Sequence, residues 1–221
     1  MTILRLGDRN DRRVFASRGV GIAGSDFDQA IIQRRMAPLF GSQTPNLPPE
    51  VQELIAALAD WSALPDLSTP RMQTVLGRAI QQGLSPARLN ALQALVFNDL
   101  AFSFYQAVEQ AKIALSESGV TTLDLQQGAL RLWYLYTRTQ FERDTDFAYQ
   151  QIEAALRDVL HDSGLTAEEV DVVVKTGGSS NVPRFTALLE RTFGTAKVQA
   201  SDIFGSVTAG LAICAREAHA I

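Results

Sequence analysis

Glu109, Lys112 and Ser116 stand at i, i+3 and i+7 in a run free of glycine and proline. On a helix, at about 100° per residue, the three project within an arc of roughly 60°. A carboxylate, an ammonium and a hydroxyl on one face suit a polyhydroxy ligand, since the acid accepts from hydroxyls and the other two donate. The same spacing equally serves a solvated face carrying a Glu–Lys pair worth about 0.2–0.5 kcal/mol. A second group is Gly177-Gly178-Ser179-Ser180-Asn181, set between the β-branched run 170–176 and Pro183. Two glycines let a backbone approach a ligand with no Cβ in the way. A helix start offers unpaired N–H groups and a partial positive charge. That combination suits a nucleotide, and it also suits an ordinary strand-to-helix turn.

The elements that must hold these groups follow from the flanking sequence. Val-Asp-Val-Val-Val, residues 170–174, reads as a buried strand. Pro183 opens a helix that Gly194 stops. Residues 87–115 contain no Gly or Pro and read as one long helix. Leu92, Leu95, Val96, Leu100, Phe104 and Val108 recur at threes and fours, so one face packs. Trp61 and the Phe residues of this region read as core.

The rest of the chain is read in the same way. Residues 2–6 and 13–17 form a hairpin around Gly7–Asn10. Gly19-Val-Gly-Ile-Ala-Gly24 spells the dinucleotide-binding glycine pattern. That chemistry needs a parallel strand–helix–strand unit, whereas the strand before it is a hairpin arm. Ser25 is placed to cap a helix from 26 to 40, and prolines 45, 48 and 49 mark a break. Helices follow at 51–61 and from Pro70 to about 82, and Ser85-Pro86 starts the long one. Residues 120–125 and 130–136 read as a strand pair, and a helix runs from about 137 to 162 with Gly164 at its cap. Thr166–Glu169 makes a capping box, residues 197–199 a short strand, and Phe204–Ala218 a last helix.

Composition narrows the function classes. The 221 residues are 46% hydrophobic and 20% charged, with a formal net charge of −4 and pI near 5.2. That is ordinary globular composition with no basic stripe for nucleic acid. Cys214 is alone, so no internal disulfide forms, and His161 and His219 are the only histidines. No metal-ligand cluster, nucleophile elbow or P-loop is spelled out. No apolar run approaches the roughly 18 residues of a membrane helix. A cytoplasmic protein is expected, with no membrane or nucleic-acid partner.

Several segments resemble the DnaK-type (seventy-kilodalton) heat-shock chaperones. Ile22-Ala-Gly-Ser-Asp-Phe-Asp28 resembles their Leu-Gly-Gly-Glu-Asp-Phe-Asp. Glu109-Gln-Ala-Lys-Ile-Ala-Leu-Ser116 resembles Glu-Arg-Ala-Lys-Arg-Thr-Leu-Ser, and Thr137-Arg-Thr-Gln-Phe-Glu142 resembles Thr-Arg-Ala-Arg-Phe-Glu. Val172-Val-Val-Lys-Thr-Gly-Gly-Ser-Ser-Asn-Val-Pro183 resembles Ile-Val-Leu-Val-Gly-Gly-Ser-Thr-Arg-Ile-Pro, and Ala209–Ala212 falls where they have Tyr-Gly-Ala-Ala. The segments keep the family's order. The extra helices between Pro48 and Ser85 and the ending Phe204–Gly210 resemble its short YegD-like members.

The resemblance implies an α/β fold, the actin-like ATPase (ribonuclease H-like) lobe with an inserted, mainly helical subdomain. A sheet-centred subdomain would span 1–22 and 138–221, its first strand pair sharing a sheet with the 170–174 strand. The inserted subdomain would span 23–137 and carry the short hairpin. Only the second of the family's two lobes is covered, so a missing N-terminal lobe is implied as partner and the chain is expected to be a fragment unable to hydrolyse ATP alone. ATP or ADP is the implied cofactor, with magnesium only if the missing lobe is present. Carried over by position, Gly177, Gly178 and Ser179 line the nucleoside, Glu109 and Lys112 meet the ribose and Ser116 the adenine. Ile113 and Asn181 stand where the chaperones have arginines, and Ile113 gives up a cation–π contact to the base worth about 0.5–2 kcal/mol. The alternative from another class is a non-enzymatic interaction module that keeps the fold without nucleotide. Clients and oligomeric state are not legible in the sequence.

Overall fold

In the computed structural model, the described residues are 1–7, 11–128, 130–200, 208, 212–213 and 215–216, with the backbone alone at Ser179. The helix read at 204–218, the segment 209–212 and the turn at residues 8–10 therefore fall wholly or partly outside them. The chain divides into two compact units, Met1–Ala23 with Asp146–Ile221, and Gly24–Thr145. The second boundary lies at 145/146 rather than 137/138. Phe141 and Asp144 explain the difference, because both side chains are buried within the inserted unit.

The outer unit begins with β1 (Thr2–Arg5) and β2 (Arg13–Ser17), an antiparallel hairpin with an irregularity between Ile3 and Leu4. Because β2 is antiparallel, the glycines at 19–24 do not follow a parallel strand, and the dinucleotide unit is not formed there.

The inserted unit starts with α1 (Gly24–Ile31), which continues as a π turn at Ile32–Met36 and a 3-10 turn at Ala37–Phe40. A π turn shifts side-chain direction within a helix, and here it contains Arg35. The guanidinium donates to Asp144 through Nε at 2.6 Å and Nη2 at 2.7 Å, and the Tyr136 hydroxyl donates to the same carboxylate at 2.9 Å. Next come α2 (Pro49–Ala57), α3 (Leu64–Leu67) and α4 (Pro70–Gln81), the last capped by Thr69, whose hydroxyl accepts from the Met72 N–H at 3.1 Å. Trp61 lies beyond α2 and is 72% exposed, so it is not core.

The long helix read at 87–115 is two. α5 (Pro86–Phe97) and α6 (Ala101–Glu117) are separated at Asn98–Leu100, where Asp99 takes φ 55°. Asp and Asn visit the left-handed region more readily than other non-glycine residues, so a helix can end without Gly or Pro. Ser85, the residue before α5, makes no side-chain cap to that helix. It sits at φ 44° and its hydroxyl accepts from Thr44 Oγ1 at 2.9 Å. One face of α6 buries Phe104, Val108, Ala111 and Leu115, while Phe102, also read as core, is 77% exposed.

β3 (Val120–Gln127) and β4 (Leu130–Thr137) pair antiparallel in unbroken register, Val120 opposite Thr137 through Gln127 opposite Leu130. Leu123, Leu125, Leu130, Leu132 and Tyr136 are buried, while Trp133 and Leu135 alternate outward. Thr137 and Gln140 form a reciprocal capping box for α7 (Arg138–Asp144). The helix read from 137 to 162 is broken at Thr145, whose φ −103° and ψ 12° leave the helical region while its hydroxyl and N–H both donate to the Phe141 carbonyl, at 2.8 and 3.0 Å.

Tyr105, on α6, donates its hydroxyl to the Leu58 carbonyl at 3.0 Å. Burial, with a smaller push from the Asp60 charge, raises its phenol to about 12. A phenol ordinarily ionises near 10. Between those values the unfolded chain releases a proton that folded Tyr105 keeps, so its contribution is full below pH 10 and is lost as the pH rises towards 12. Urea midpoints are expected to fall across that window, and Tyr105→Phe is expected to flatten the fall.

Returning to the outer unit, α8 (Asp146–Ser163) packs against the β1–β2 hairpin, with Arg18 donating to Asp162 at 2.7 Å. β5 (Val173–Lys175) leads through a 3-10 turn at Gly178–Asn181 to α9 (Pro183–Phe193), and β6 (Val198–Ala200) pairs parallel to β5. α9 is held to α8 by Arg184, which donates to Asp146 at 2.6 Å and lies 3.6 Å over the Tyr149 ring, itself stacked on Phe185. The hairpin and β5 belong to separate two-stranded sheets among the described residues, which corrects the expectation of a shared sheet. β5 is only three residues long, with β6 on one edge, and the hairpin finds its cover on α8. The 170–174 run is likewise not a strand buried on both faces: Val172 is 40% and Val174 58% exposed. A two-stranded sheet with a helix on one side leaves its other face to solvent.

Candidate functional site

Four of the sequence-read site residues lie on α6 of the inserted unit. Glu109 and Ile113 are exposed and Lys112 and Ser116 half-buried, and their spacing puts them on one helix face. The C-terminal end that carries Ser116 is fixed by Arg138, whose Nε and Nη2 donate to the carbonyls of Leu115 and Ser116 at 2.8 and 3.4 Å. A cation there also satisfies the negative end of the helix dipole.

Lys112 is anchored. Its Nζ donates to Asp28 Oδ2 at 2.8 Å and to the Gly24 carbonyl at 3.3 Å, with the side chain only 12% exposed. An ammonium has three N–H bonds, so two serve the protein and one is left. Asp28 is the partner that sequence reasoning missed. It sits in the quoted segment 22–28, but spacing on α6 says nothing about an acid on another helix. Burial pushes the Asp28 carboxyl above the ordinary carboxylate range, the hydrogen bond and charge of Lys112 pull it back, and the Glu109 charge adds to the rise. Asp28 Oδ1 is buried and accepts no hydrogen bond, which adds to the cost of its charged form. Asp28, Glu109 and Lys112 thus form one charge cluster in which the ammonium is bonded to Asp28 and the Glu109 charge acts on the same carboxyl.

The remaining residues lie in the outer unit. Gly177 has φ 85°, a conformation that needs glycine, while Gly178 has an ordinary φ. A Cβ added at Gly178 would meet nothing within 4 Å. The turn is closed by Ser180, whose N–H and hydroxyl donate to the Gly177 carbonyl at 3.1 and 2.6 Å. Asn181 ends the 3-10 turn, so the segment after Gly177-Gly178 is first a turn and only then α9. Lys175, just before the glycines, is pinned by its Nζ donating to Thr186 Oγ1 at 2.8 Å, which ties β5 to α9. The structure therefore presents two separate sets, one on α6 and one on the 177–181 turn, each held within its own unit. Among the described residues no cluster of His, Cys, Asp and Glu is arranged to hold a metal.

Comparison with protein families matches residues 98–217 to Hsp70 protein. The matched span begins at the α5–α6 break and takes in α6, the β3–β4 hairpin, the capped start of α7 and the glycine turn. It covers more than half of the 221 residues, and the chain belongs to the Hsp70 protein family.

Proposed function

We propose that the chain binds the nucleoside end of an adenine nucleotide and does not hydrolyse ATP by itself. The observation that carries this is the α6 face. Lys112 is fixed by Asp28 and Gly24 with one N–H left over, beside an exposed acid at Glu109, the half-exposed Ile113 and Ser116 one turn on. Glu109 and Lys112 are the ribose contacts, Ile113 packs on the base and Ser116 meets its edge. The Gly177–Asn181 turn is a second set of nucleoside contacts, with Gly178 open enough for a ligand to lie against the backbone. The actin-like fold, a cytoplasmic location and an N-terminal lobe as partner belong to the same reading, as does magnesium, which travels with the phosphates. Phosphoryl transfer needs gripped phosphates, a metal and an oriented water, and neither set of residues reaches beyond the nucleoside. Affinity is correspondingly low, because the phosphates stay in water.

Titration calorimetry with ATP, ADP and adenosine is expected to give dissociation constants within a few fold of one another, with no phosphate release beside it. Glu109→Ala removes one acceptor and is expected to weaken binding about fivefold, roughly 1 kcal/mol. Gly178→Val is the cleaner probe, because the added side chain meets nothing in the protein itself; about a tenfold loss is expected. Steady turnover, or a large preference for ATP over ADP, would overturn the proposal. An absence of binding at millimolar nucleotide would favour an interaction module that has kept the fold.

A further inference from the structure

The β3–β4 hairpin leaves one backbone edge open beside a groove. The Arg138 N–H donates to the Gly119 carbonyl at 2.9 Å, which sets the phase of the antiparallel ladder. Positions 121, 123, 125 and 127 point their N–H and C=O groups at β4, and Val120, Thr122, Asp124 and Gln126 point theirs away from it. No backbone hydrogen bond fills those outward groups among the described residues. Exposed edges are usually blunted by proline, lysine or a bulge. β3 has none of these: its register is regular over its whole length, and Asp124 is its one charge.

A groove of about 510 Å³ runs along this edge, between β3 and α6. Its helix wall is Ser103, Ala107, Gln110 and Ala114, a row at four, three and four residues that extends about 16 Å at 1.5 Å per residue. These positions lie on a different face of α6 from Glu109, Lys112, Ile113 and Ser116. The strand side includes Thr122 and Asp124, two of the residues whose backbone groups are unpaired, and Asp124 is the one ionisable residue in the lining.

We propose that this groove binds an extended peptide segment of a partner protein, which adds as a strand to the β3 edge. Main-chain hydrogen bonds give such a complex its affinity, and alternate side chains give it specificity. Residues of the incoming strand opposite Thr122 and Asp124 share the outward face of the sheet, so a Lys or Arg opposite Asp124 is favoured. The intervening residues turn towards the α6 wall, where Ala107 and Ala114 leave room for small apolar side chains. The polar Ser103, Gln110 and Thr122 fit a transient peptide better than a second copy of the chain, because permanent interfaces are more apolar.

The test uses the 221-residue chain and a fluorescein-labelled peptide, Thr-Val-Lys-Ala-Thr-Val, blocked at both ends. A second peptide of the same sequence is N-methylated at alternate amides, and a third has threonine for lysine. Anisotropy titration is expected to show saturable binding of the first peptide, its lysine opposite Asp124, with at least a tenfold loss when the amides paired in that register are methylated. Thr122→Pro removes an outward N–H that β4 does not use, so the fold should persist by circular dichroism while affinity falls at least tenfold. Asp124→Asn should weaken the lysine peptide several fold and leave the threonine peptide unchanged. Equal binding of the plain and methylated peptides would overturn the proposal without relying on any variant, as would no binding at millimolar peptide. Dimers in sedimentation velocity that Thr122→Pro disperses would also overturn it, assigning the edge to a second copy.

Discussion

Asp144→Ala is expected to lower the free energy of unfolding by about 3–5 kcal/mol, the usual cost of removing one partner from a buried ion pair. The Asp144 side chain is 3% exposed and that of Arg35 22%. The carboxylate accepts two guanidinium hydrogen bonds and the Tyr136 hydroxyl. Its hydrogen bonds and charge hold the Arg35 pKa above its ordinary value. Burial, reinforced by the Asp144 charge, holds the Tyr136 phenol well above the ordinary range. Removing the acid takes away the acceptor that the Arg35 guanidinium and the Tyr136 phenol share, beside the point where Tyr136 and Phe141 meet edge to face. Guanidinium chloride denaturation measures the effect. The midpoint should fall with the slope unchanged, since slope follows the surface exposed on unfolding. Arg35→Met/Asp144→Leu should recover much of the loss, because replacing both ions with apolar groups leaves no buried charge. A single-variant loss below about 1 kcal/mol would mean that water reaches the pair.

Lys112→Met is expected to act on stability and on ligand together. The hydrogen bond to Asp28 is charge-assisted, a class worth about 1.5–3 kcal/mol, and its loss leaves an acid whose other oxygen already has no partner. The Asp28 carboxyl, already raised, should rise further. The sign is that of a destabilised carboxylate: stability from protonated Asp28 is complete below the ordinary carboxylate pKa and is lost as the pH climbs through the raised value. Lys112→Met should therefore lose least at acidic pH and most near neutrality. Asp28→Asn/Lys112→Met should cost less than the sum of the single changes, because the two groups act as one unit. Adenosine affinity should fall about tenfold, as the loss of one charged donor implies. A pH-independent stability loss would show that Lys112 acts through packing of its stem alone.

Much of this was legible before any coordinate. The hairpins, the helix starts at Pro70 and near Thr137 and the grouping of Glu109, Lys112 and Ser116 depend on residues a few positions apart, where turn chemistry and helix periodicity act directly. The family was legible too, because its motifs are local and keep their order. Three of the readings that failed did so for related reasons. The helix break at Asp99 uses a left-handed residue that is neither Gly nor Pro. The exposure of Trp61 and Phe102 depends on which elements cover them. The pairing of β5 with β6, and not with the first hairpin, is a choice between edges far apart in sequence. Periodicity describes one element's faces and carries no information about what packs on them.

By itself, then, the sequence determined which residues share a helix face and where glycine must turn the chain. Tertiary structure alone decided that Lys112 is spent largely on Asp28, that Asp144 is the hub joining Arg35 to Tyr136, and that β3 keeps an open edge. Those pairs lie on different elements, 84 and 109 residues apart for the two cations. Hydrogen bonds and desolvation at such separations exist only once packing has brought the groups within about 3 Å and shut out water.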